Sequence, residues 1–185
     1  MGKIKAVFFD IDGTLVSFKT HRIPPSTLDA VAALRSRGIK VYIATGRPVP
    51  FIDNLGELEY DGMITVTGAH CFTSGGEVIY HQSVSAESVG RVVGHLTHGA
   101  DAYPVIFVCS DEMFITELNE DVDAVARLLD IKMPPVRPAS YACGKDVLQL
   151  ISFFKADREP HFMSALMPDC TSMRWHPFFT DVIAG

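Results

Sequence analysis

The chain has 185 residues, a formal net charge of −6 at pH 7 and 48% hydrophobic residues. This length fits one medium domain or two small ones, and the apolar share is sufficient for a packed core. The negative charge argues against non-specific binding to nucleic acid or to an anionic membrane surface. An anionic substrate must therefore be attracted by local groups.

The cysteines and the apolar runs indicate a cytoplasmic protein. Cys71, Cys109, Cys143 and Cys170 are widely spaced and form no Cys-x-x-Cys pair, which favours free thiols in a reducing compartment. No apolar run reaches the length of a membrane-spanning helix. The N-terminus reaches Asp10 too soon for a signal peptide. We therefore expect no membrane partner.

The first predicted strand and the loop after it organise the chain. Residues 6–9 (Ala-Val-Phe-Phe) form an apolar run that predicts a strand buried on both faces. Asp10 and Asp12 follow at the carboxyl end, where ligands bind in open α/β sheets. Gly13 permits a positive φ and leaves room for a ligand beside the backbone.

Two carboxylates this close repel each other unless a cation or a proton lies between them. The pattern therefore predicts a Mg²⁺ site at Asp10 and Asp12, in which one carboxylate attacks phosphorus and the other moves a proton. The plain alternative is an Asp-Gly turn that ends a strand.

The next elements bring a second loop to the same edge. A helix capped by Ser26 and a second buried strand at 40–44 are predicted from the residue pattern. Because strand–helix–strand implies a parallel crossover, Thr45 is expected at the same sheet edge as Asp10.

Thr45, Gly46 and Arg47 predict a phosphate site. Pro48 suits the first turn of another helix, and a hydroxyl, a glycine and free amides at a helix N-terminus bind phosphate oxygens. Arg47 can add a bidentate contact to an anionic oxygen. A plain strand-to-helix turn is the alternative, and the Asp10 loop at the same edge favours the functional interpretation.

The remaining pattern predicts a second domain. A third strand at 62–66 and a hairpin over 71–80 precede a boundary near residues 81–83. From Val84 onward, hairpin strands alternate with helices, which indicates an antiparallel sheet with helices on one face. The predicted fold class is therefore α/β followed by an α+β layer.

These motifs resemble a known superfamily. Residues 10–15 (Asp-Ile-Asp-Gly-Thr-Leu) match the first motif of the haloacid dehalogenase-like (HAD) hydrolases, and residues 44–48 (Ala-Thr-Gly-Arg-Pro) resemble the second. The layout of the whole chain is similar to the Cof-type sugar-phosphatase branch. The resemblance implies a partial Rossmann-like HAD core at 1–82 and an inserted α+β cap domain at 83–183. Thr67 stands where Cof-type relatives usually carry Asn.

The resemblance also implies a mechanism. Asp10 would attack the phosphorus of a phosphate monoester and form an aspartyl-phosphate, and Asp12 would act as acid and then as base. Mg²⁺ would bridge Asp10 and the phosphate, with the backbone carbonyl of Asp12 as a further ligand. Amides after Asp10 and the Thr45 hydroxyl would hold the phosphate oxygens. The substrate would be a small phosphorylated metabolite such as a sugar phosphate, selected by the cap.

The resemblance covers two of the four HAD motifs, because the Lys motif and Gly-Asp-Gly-x-Asn-Asp would follow Gly185. We therefore expect a truncated chain of weak or no activity, with an exposed sheet edge that permits self-association. Two alternatives stay open here: a phosphotransferase or phosphomutase of the same superfamily, and a non-catalytic binding or assembly fragment.

Three aromatic residues complete the candidates. His95 and His98 lie three apart on a predicted helix, but a metal site needs three or four ligands, so a solvated face is favoured. Trp175 is the only tryptophan and is either a sugar-stacking residue or a core anchor.

Overall fold

The computed structural model describes residues 3–99, 101–129 and 131–185, which fold into two units divided between His81 and Gln82. Each unit is built on a five-stranded sheet. None of the helices in the described ranges has both the length and the apolar character needed to cross a membrane.

The sheet of the first unit combines parallel and antiparallel strands. Its first three strands are parallel to one another, and a hairpin of two strands pairs with the third in antiparallel fashion. Helix α1 (Pro25–Ser36) lies between β1 and β2 in the chain. In spatial order the strands are β1 (Ala6–Phe9), β2 (Lys40–Ala44), β3 (Gly62–Thr65), β4 (His70–Thr73) and β5 (Val78–His81). The predicted α/β class and hairpin are confirmed.

The strand register places three loops at one edge of this sheet. Phe9 at the end of β1 pairs with Ile43 in β2, and Ala44 at the end of β2 pairs with Ile64 in β3. The residues that follow these parallel strands therefore emerge at the same edge, which we call the rim.

The prediction that β1 is buried on both faces is wrong. The core of the first unit contains Val31 of α1 together with Val41 and Ile43 of β2, but Phe8 of β1 is 56% exposed and stacks on Tyr42 with ring centroids 5.1 Å apart. In the described chain β1 pairs only with β2, so it is an edge strand. The expected exposed edge is present.

The start of α1 also differs from the prediction. Ser26 was expected to cap the helix, but Pro24 occupies the cap position and Pro25 begins the helix, without a side-chain cap. The extended backbone of Pro24 and the fixed φ of Pro25 begin the helix without a capping hydroxyl.

The helix predicted after Pro48 is reduced to one 3₁₀ turn, Val49–Phe51. Pro50 lies inside this turn, where it removes a backbone donor and obstructs a continuing α-helix. The segment still contributes to the core, since Leu55 is buried there and the partly buried Ile52 packs against it. The loop therefore leads into a 3₁₀ turn in place of an α-helix, and its phosphate site stays a prediction.

The second unit contains an antiparallel sheet with helices. The spatial order is β7, β6, β8, β10, β9, and every neighbouring pair is antiparallel, as expected for an α+β layer. The elements in chain order are α2 (Ala86–His98), β6 (Val105–Cys109), β7 (Met113–Ile115), α3 (Glu120–Leu129), β8 (Val147–Ser152), α4 (Glu159–Leu166), β9 (Cys170–His176) and β10 (Phe179–Ala184).

Two helices of this unit begin at side-chain caps. The Ser85 hydroxyl accepts a hydrogen bond from the Ser88 N–H at 3.1 Å, and Asn119 Oδ1 accepts one from the Val122 N–H at 3.0 Å. Each side chain satisfies an orphan donor of the first turn. The core of the unit joins α2 and α4 to one face of the sheet through Val92, Phe107, Leu150, Phe162 and Met167.

Candidate active site

The loop after β1 carries the two predicted catalytic carboxylates. Asp10 is exposed, and among the described residues no hydrogen bond or ion pair uses its carboxylate. Asp12, two residues later, is half-buried. Asp10 is therefore free to approach a ligand, whereas Asp12 has a partner within the protein.

A tight turn fixes this loop. Gly13 has φ of 74° and donates its N–H to Val16 O at 2.9 Å, while Val16 N–H donates to Ile11 O at 2.8 Å. Leu15 N–H also donates inside the turn, and the Leu15 and Ile11 side chains are buried in the core. The amides from Gly13 to Val16 therefore hold the turn, and the phosphate role expected for the amides after Asp10 stays a prediction.

The Phe18 ring covers the side of Gly13 on which a Cβ atom would lie. A Cβ atom at Gly13 would lie 2.5 Å from Cε2 of Phe18, so the aromatic ring packs directly against the glycine. A larger residue would clash with this ring, and the positive φ would strain it further. Gly13 thus supports the turn and packs against Phe18, and its role beside a bound phosphate stays a prediction.

Arg47 binds Asp12 through two hydrogen bonds. Nε donates to Oδ2 at 2.8 Å, Nη2 donates to Oδ1 at 2.7 Å, and Nη1 donates to Phe51 O at 2.8 Å. The hydrogen bonds to Asp12 raise the pKa of Arg47 above its usual value, against the opposing effect of burial. Sequence reasoning assigned Arg47 to phosphate and missed this pair, although an arginine and a carboxylate at one sheet edge are a natural bidentate couple.

Thr45 is held at the rim by backbone bonds. Its side chain is 6% exposed, its N–H donates to Ile64 O at 2.9 Å, and its Oγ1 accepts the N–H of Arg47 at 3.1 Å. Because Oγ1 acts here as an acceptor, the hydroxyl proton is left for a ligand oxygen.

The loop after β3 is strained and reaches the same place. Val66 and Thr67 have φ of 51° and 55°, a region that costs non-glycine residues about 1–3 kcal/mol each and that is common at functional sites. Val66 N–H donates to Arg47 O at 3.2 Å. A Cβ atom on Gly46 would lie 3.6 Å from Thr67 Oγ1, so Thr67 stands beside the second loop.

The role of Thr67 was doubtful from the sequence, because it replaces the Asn expected there. Gly68, with φ of 99°, was the available signal that the backbone turns left-handed at this point. The structure brings Thr45, Gly46, Arg47 and Thr67 into one cluster, and Asp12 joins it through Arg47.

The donor set at the rim fits Mg²⁺. In the described ranges no three His, Cys, Asp or Glu side chains form a group that could hold a metal ion. Mg²⁺ in phosphate sites is typically bound by one or two carboxylates, with waters and phosphate oxygens completing its octahedron. The free Asp10 carboxylate, with a backbone carbonyl such as that of Asp12, suits this arrangement.

The remaining candidates lie in the second unit. The His95 ring packs against Tyr103 at 5.6 Å, and no metal group includes it or His98 among the described residues. Trp175 is 60% exposed, so it is not a core anchor, and its Nε1 donates to Asp181 Oδ2 at 2.9 Å.

Comparison with known proteins gives a consistent set of relatives. The family model for haloacid dehalogenase-like hydrolases matches residues 7–185. The Bacillus subtilis (strain 168) protein named "Putative phosphatase YkrA" is 31% identical over 183 residues, which are 97% of this chain and 68% of that protein.

Two solved structures resemble the whole chain. The HAD subclass IIB sugar phosphatase BT4131 superposes with a TM-score of 0.81 at 40% identity, covering 97% of this chain and 70% of that one. The HAD phosphatase BT1666 from Bacteroides thetaiotaomicron superposes with a TM-score of 0.85 at 30% identity, covering 98% and 67%. The chain thus spans about two thirds of the length of these relatives.

Proposed function

This chain is a phosphatase of the haloacid dehalogenase-like hydrolase family, and we propose that it hydrolyses a small phosphate monoester. The substrate class that we propose is a sugar phosphate. The observation that carries the proposal is the unpaired, exposed Asp10 carboxylate at a rim that also presents Asp12 and Thr45. On this proposal residues 1–82 are the core that carries the chemistry, and 83–183 are a cap that selects the substrate.

The first step transfers the phosphoryl group to the protein. A carboxylate oxygen of Asp10 attacks phosphorus, the bond between phosphorus and the leaving oxygen breaks, and an aspartyl-phosphate forms. Asp12 gives its proton to the leaving oxygen, so the product departs as an alcohol.

The second step restores the protein. Asp12, now ionised, takes a proton from a water molecule as the water oxygen attacks phosphorus. The bond between phosphorus and the Asp10 oxygen breaks, inorganic phosphate leaves, and the Asp12 proton is ready for the next cycle. The Thr45 hydroxyl donates its proton to an equatorial phosphate oxygen, while its oxygen accepts the Arg47 N–H.

Arg47 has to change partner during this cycle. A carboxylate that accepts two hydrogen bonds from a guanidinium, as Asp12 does, has no proton to donate. The phosphate dianion offers Arg47 an equally suitable bidentate partner. We propose that substrate binding moves Arg47 from Asp12 to phosphate, which restores its predicted phosphate role and allows Asp12 to become protonated. Because this exchange breaks a well-formed pair, we expect slow turnover.

Mg²⁺ is the metal we propose for this rim. Asp10 would hold it through its carboxylate and Asp12 through its backbone carbonyl. When bound, the ion would neutralise phosphate charge and polarise the phosphoryl group.

The test is hydrolysis of p-nitrophenyl phosphate with Mg²⁺ by the wild-type chain and by Asp10→Asn. We expect a low wild-type rate that Asp10→Asn reduces by at least about a hundredfold, since the substitution removes the nucleophile. The matched control is Asp29→Asn, which changes an exposed carboxylate on α1 and should leave the rate unchanged. Equal rates for wild type and Asp10→Asn would contradict the proposal.

Two further parts of the proposal concern the setting of the protein. All four cysteines are free, which supports a reducing compartment such as the cytoplasm.

Self-association through the β1 edge stays a prediction, and sedimentation of the wild type against Phe8→Lys tests it.

A further inference from the structure

We propose that a cleft beside the Asp loop binds a second anionic group, a carboxylate or a second phosphate, on the leaving part of the substrate. This inference rests on the proposed hydrolase function and deepens it. The cleft has a volume of about 310 Å³ and is lined by Gly13, Thr14, Ser17, Phe18, Lys19 and Thr27, among others. It lies entirely within the first unit.

The lining combines one cation, several hydroxyls and an aromatic wall. Lys19 is the one charged residue that lines the cleft, and it forms no ion pair with any residue in the described ranges. Phe18 is 71% exposed although its ring packs on Gly13. An unpaired ammonium beside hydroxyls binds an anionic oxygen, and an exposed ring face covers the carbon skeleton attached to it.

The local charge supports an anionic ligand. Residues 18–22 (Phe-Lys-Thr-His-Arg) contain three basic residues and no acidic one, in a chain whose formal net charge is −6. The Ser17 carbonyl accepts the His21 N–H at 2.8 Å, and Ser17 Oγ accepts the Lys19 N–H at 3.2 Å. These bonds hold the segment in a compact turn that keeps Lys19 at the cleft.

The position of the cleft decides which part of the substrate enters it. Gly13 and Thr14 follow Asp12 directly, and both line the cleft. In the proposed reaction the leaving oxygen faces Asp12, and on our proposal the leaving group extends from there along the turn toward Phe18 and Lys19. A second anion on that group would then meet the Lys19 ammonium.

The experiment compares ligands that differ in one anionic group. Glycerol 3-phosphate is paired with 3-phosphoglycerate, which adds a carboxylate, and fructose 6-phosphate with fructose 1,6-bisphosphate, which adds a phosphate. Affinities are measured by calorimetry at about 0.05 M salt, where surface charges are weakly screened, and backbone amide shifts of the wild type locate each ligand. The variants are Lys19→Gln and the control Lys5→Gln, which lies just before β1, away from the rim.

We expect the wild type and Lys5→Gln to bind one doubly anionic ligand more tightly than its partner, by roughly two- to fivefold as for an exposed ion pair. Lys19→Gln should lose this preference and keep its affinity for the singly anionic ligand. The arm that shows the preference identifies the anion as a carboxylate or a phosphate, and shifts at 14–19 place it in the cleft.

A preference that survives Lys19→Gln, or no preference in either arm, would overturn the cleft proposal while phosphatase activity could stand. Conversely, a Lys19-dependent preference with shifts in the cleft, combined with no hydrolysis of any ester, would support the cleft and overturn the proposed function.

Discussion

Phe8 of the first unit and Phe107 of the second show how differently the two sheets use their strands. Phe107 is fully buried and stacks on Phe114 at 5.1 Å, under a core to which α2 and α4 contribute. Phe8 lies on an edge strand and is 56% exposed. The second unit encloses Phe107 in its core, whereas the first unit leaves Phe8 on an exposed face of its edge strand.

The difference teaches where stability and chemistry are located. A parallel sheet normally has both faces covered, and the first unit covers one face well with α1 and the loops around it. At the rim of the first unit, hydrogen bonds link Arg47 to Asp12 and to Thr45. Substitutions should therefore affect folding mainly in the second unit and function mainly in the first.

The largest expected effect sharpens this contrast. Phe107→Ala should reduce the free energy of unfolding of the second unit by about 3–5 kcal/mol, because it leaves a cavity in a closed core. Phe8→Ala should change the free energy of unfolding of the first unit by less than about 1 kcal/mol, because about half of the Phe8 ring is already exposed to water. Urea unfolding followed by Trp175 fluorescence reports the second unit, and amide NMR signals report the first. Similar losses for both variants would break the comparison.

The next effect concerns two carboxylates, Asp181 and Asp61, whose pKa values are shifted in opposite directions. Burial raises the pKa of Asp181 in the second unit to about 6, although hydrogen bonds with Trp175 and Gln149 oppose the shift. The folded state therefore holds a proton more tightly than the unfolded state between about pH 4 and 6, and stability falls as pH rises through that window. The cost at neutral pH is on the order of 3 kcal/mol.

Asp181→Asn should remove this dependence and unfold at higher urea than the wild type at pH 7. Oδ1 of Asp181 and Oε1 of Gln149 are both buried acceptors that lack a hydrogen-bond partner in the described residues, so an amide donor at position 181 is expected to be tolerated. Parallel pH profiles of the two proteins would refute this account.

Asp61 in the first unit should behave in the opposite way. Its Oδ2 accepts the Val41 N–H at 2.9 Å, and its Oδ1 pairs with Lys40 Nζ at 2.9 Å. The bond from Val41, aided by Lys40 and Arg35, lowers the pKa of Asp61. Its contribution is present above about pH 4 and is lost as pH falls through the depressed folded value.

Asp61→Asn should therefore cost about 1–2 kcal/mol at pH 7, and the cost should shrink when the carboxyl of the wild type is protonated. Thermal unfolding of the first unit at pH 7 and pH 3 measures it. Glu57→Gln, at an exposed position in the same unit, is the control. A cost that persists at pH 3 would show that charge is not its source.

The smallest effect on stability is expected at the rim itself. Arg47→Gln breaks the ion pair between Arg47 and Asp12, in which the two side chains are 29% and 37% exposed. We therefore expect the free energy of unfolding to fall by at most about 1 kcal/mol, and we expect this loss to disappear in 1 M salt. The same variant should weaken inorganic phosphate binding in calorimetry by roughly tenfold, because phosphate loses a bidentate partner. Arg35 pairs with Asp61, so Arg35→Gln is the control that removes one positive charge away from the rim. Unchanged phosphate affinity in Arg47→Gln would contradict the proposed exchange.

Much of the fold and of the candidate site could be predicted because local chemistry decides it. Ser85 and Asn119 begin helices through bonds within three residues, and Asp10 and Thr45 follow short apolar runs that are typical of strands. The start of α1 and the missing helix after Pro48 were wrong where prolines outweighed a general pattern. The partner of Arg47 lies 35 residues away, and sequence spacing does not determine such a contact.

By itself the sequence determined the order of strands and helices, the family, and the presence of two acids and a hydroxyl at strand ends, because these depend on periodicity and on residues close in the chain. Only the tertiary structure decided that Arg47 donates two hydrogen bonds to Asp12 and that Phe18 packs against Gly13. It also decided that Val66 and Thr67 adopt positive φ beside Gly46. Each of these depends on how loops from different strands share a limited volume at one rim, and that competition is settled by packing and charge in three dimensions.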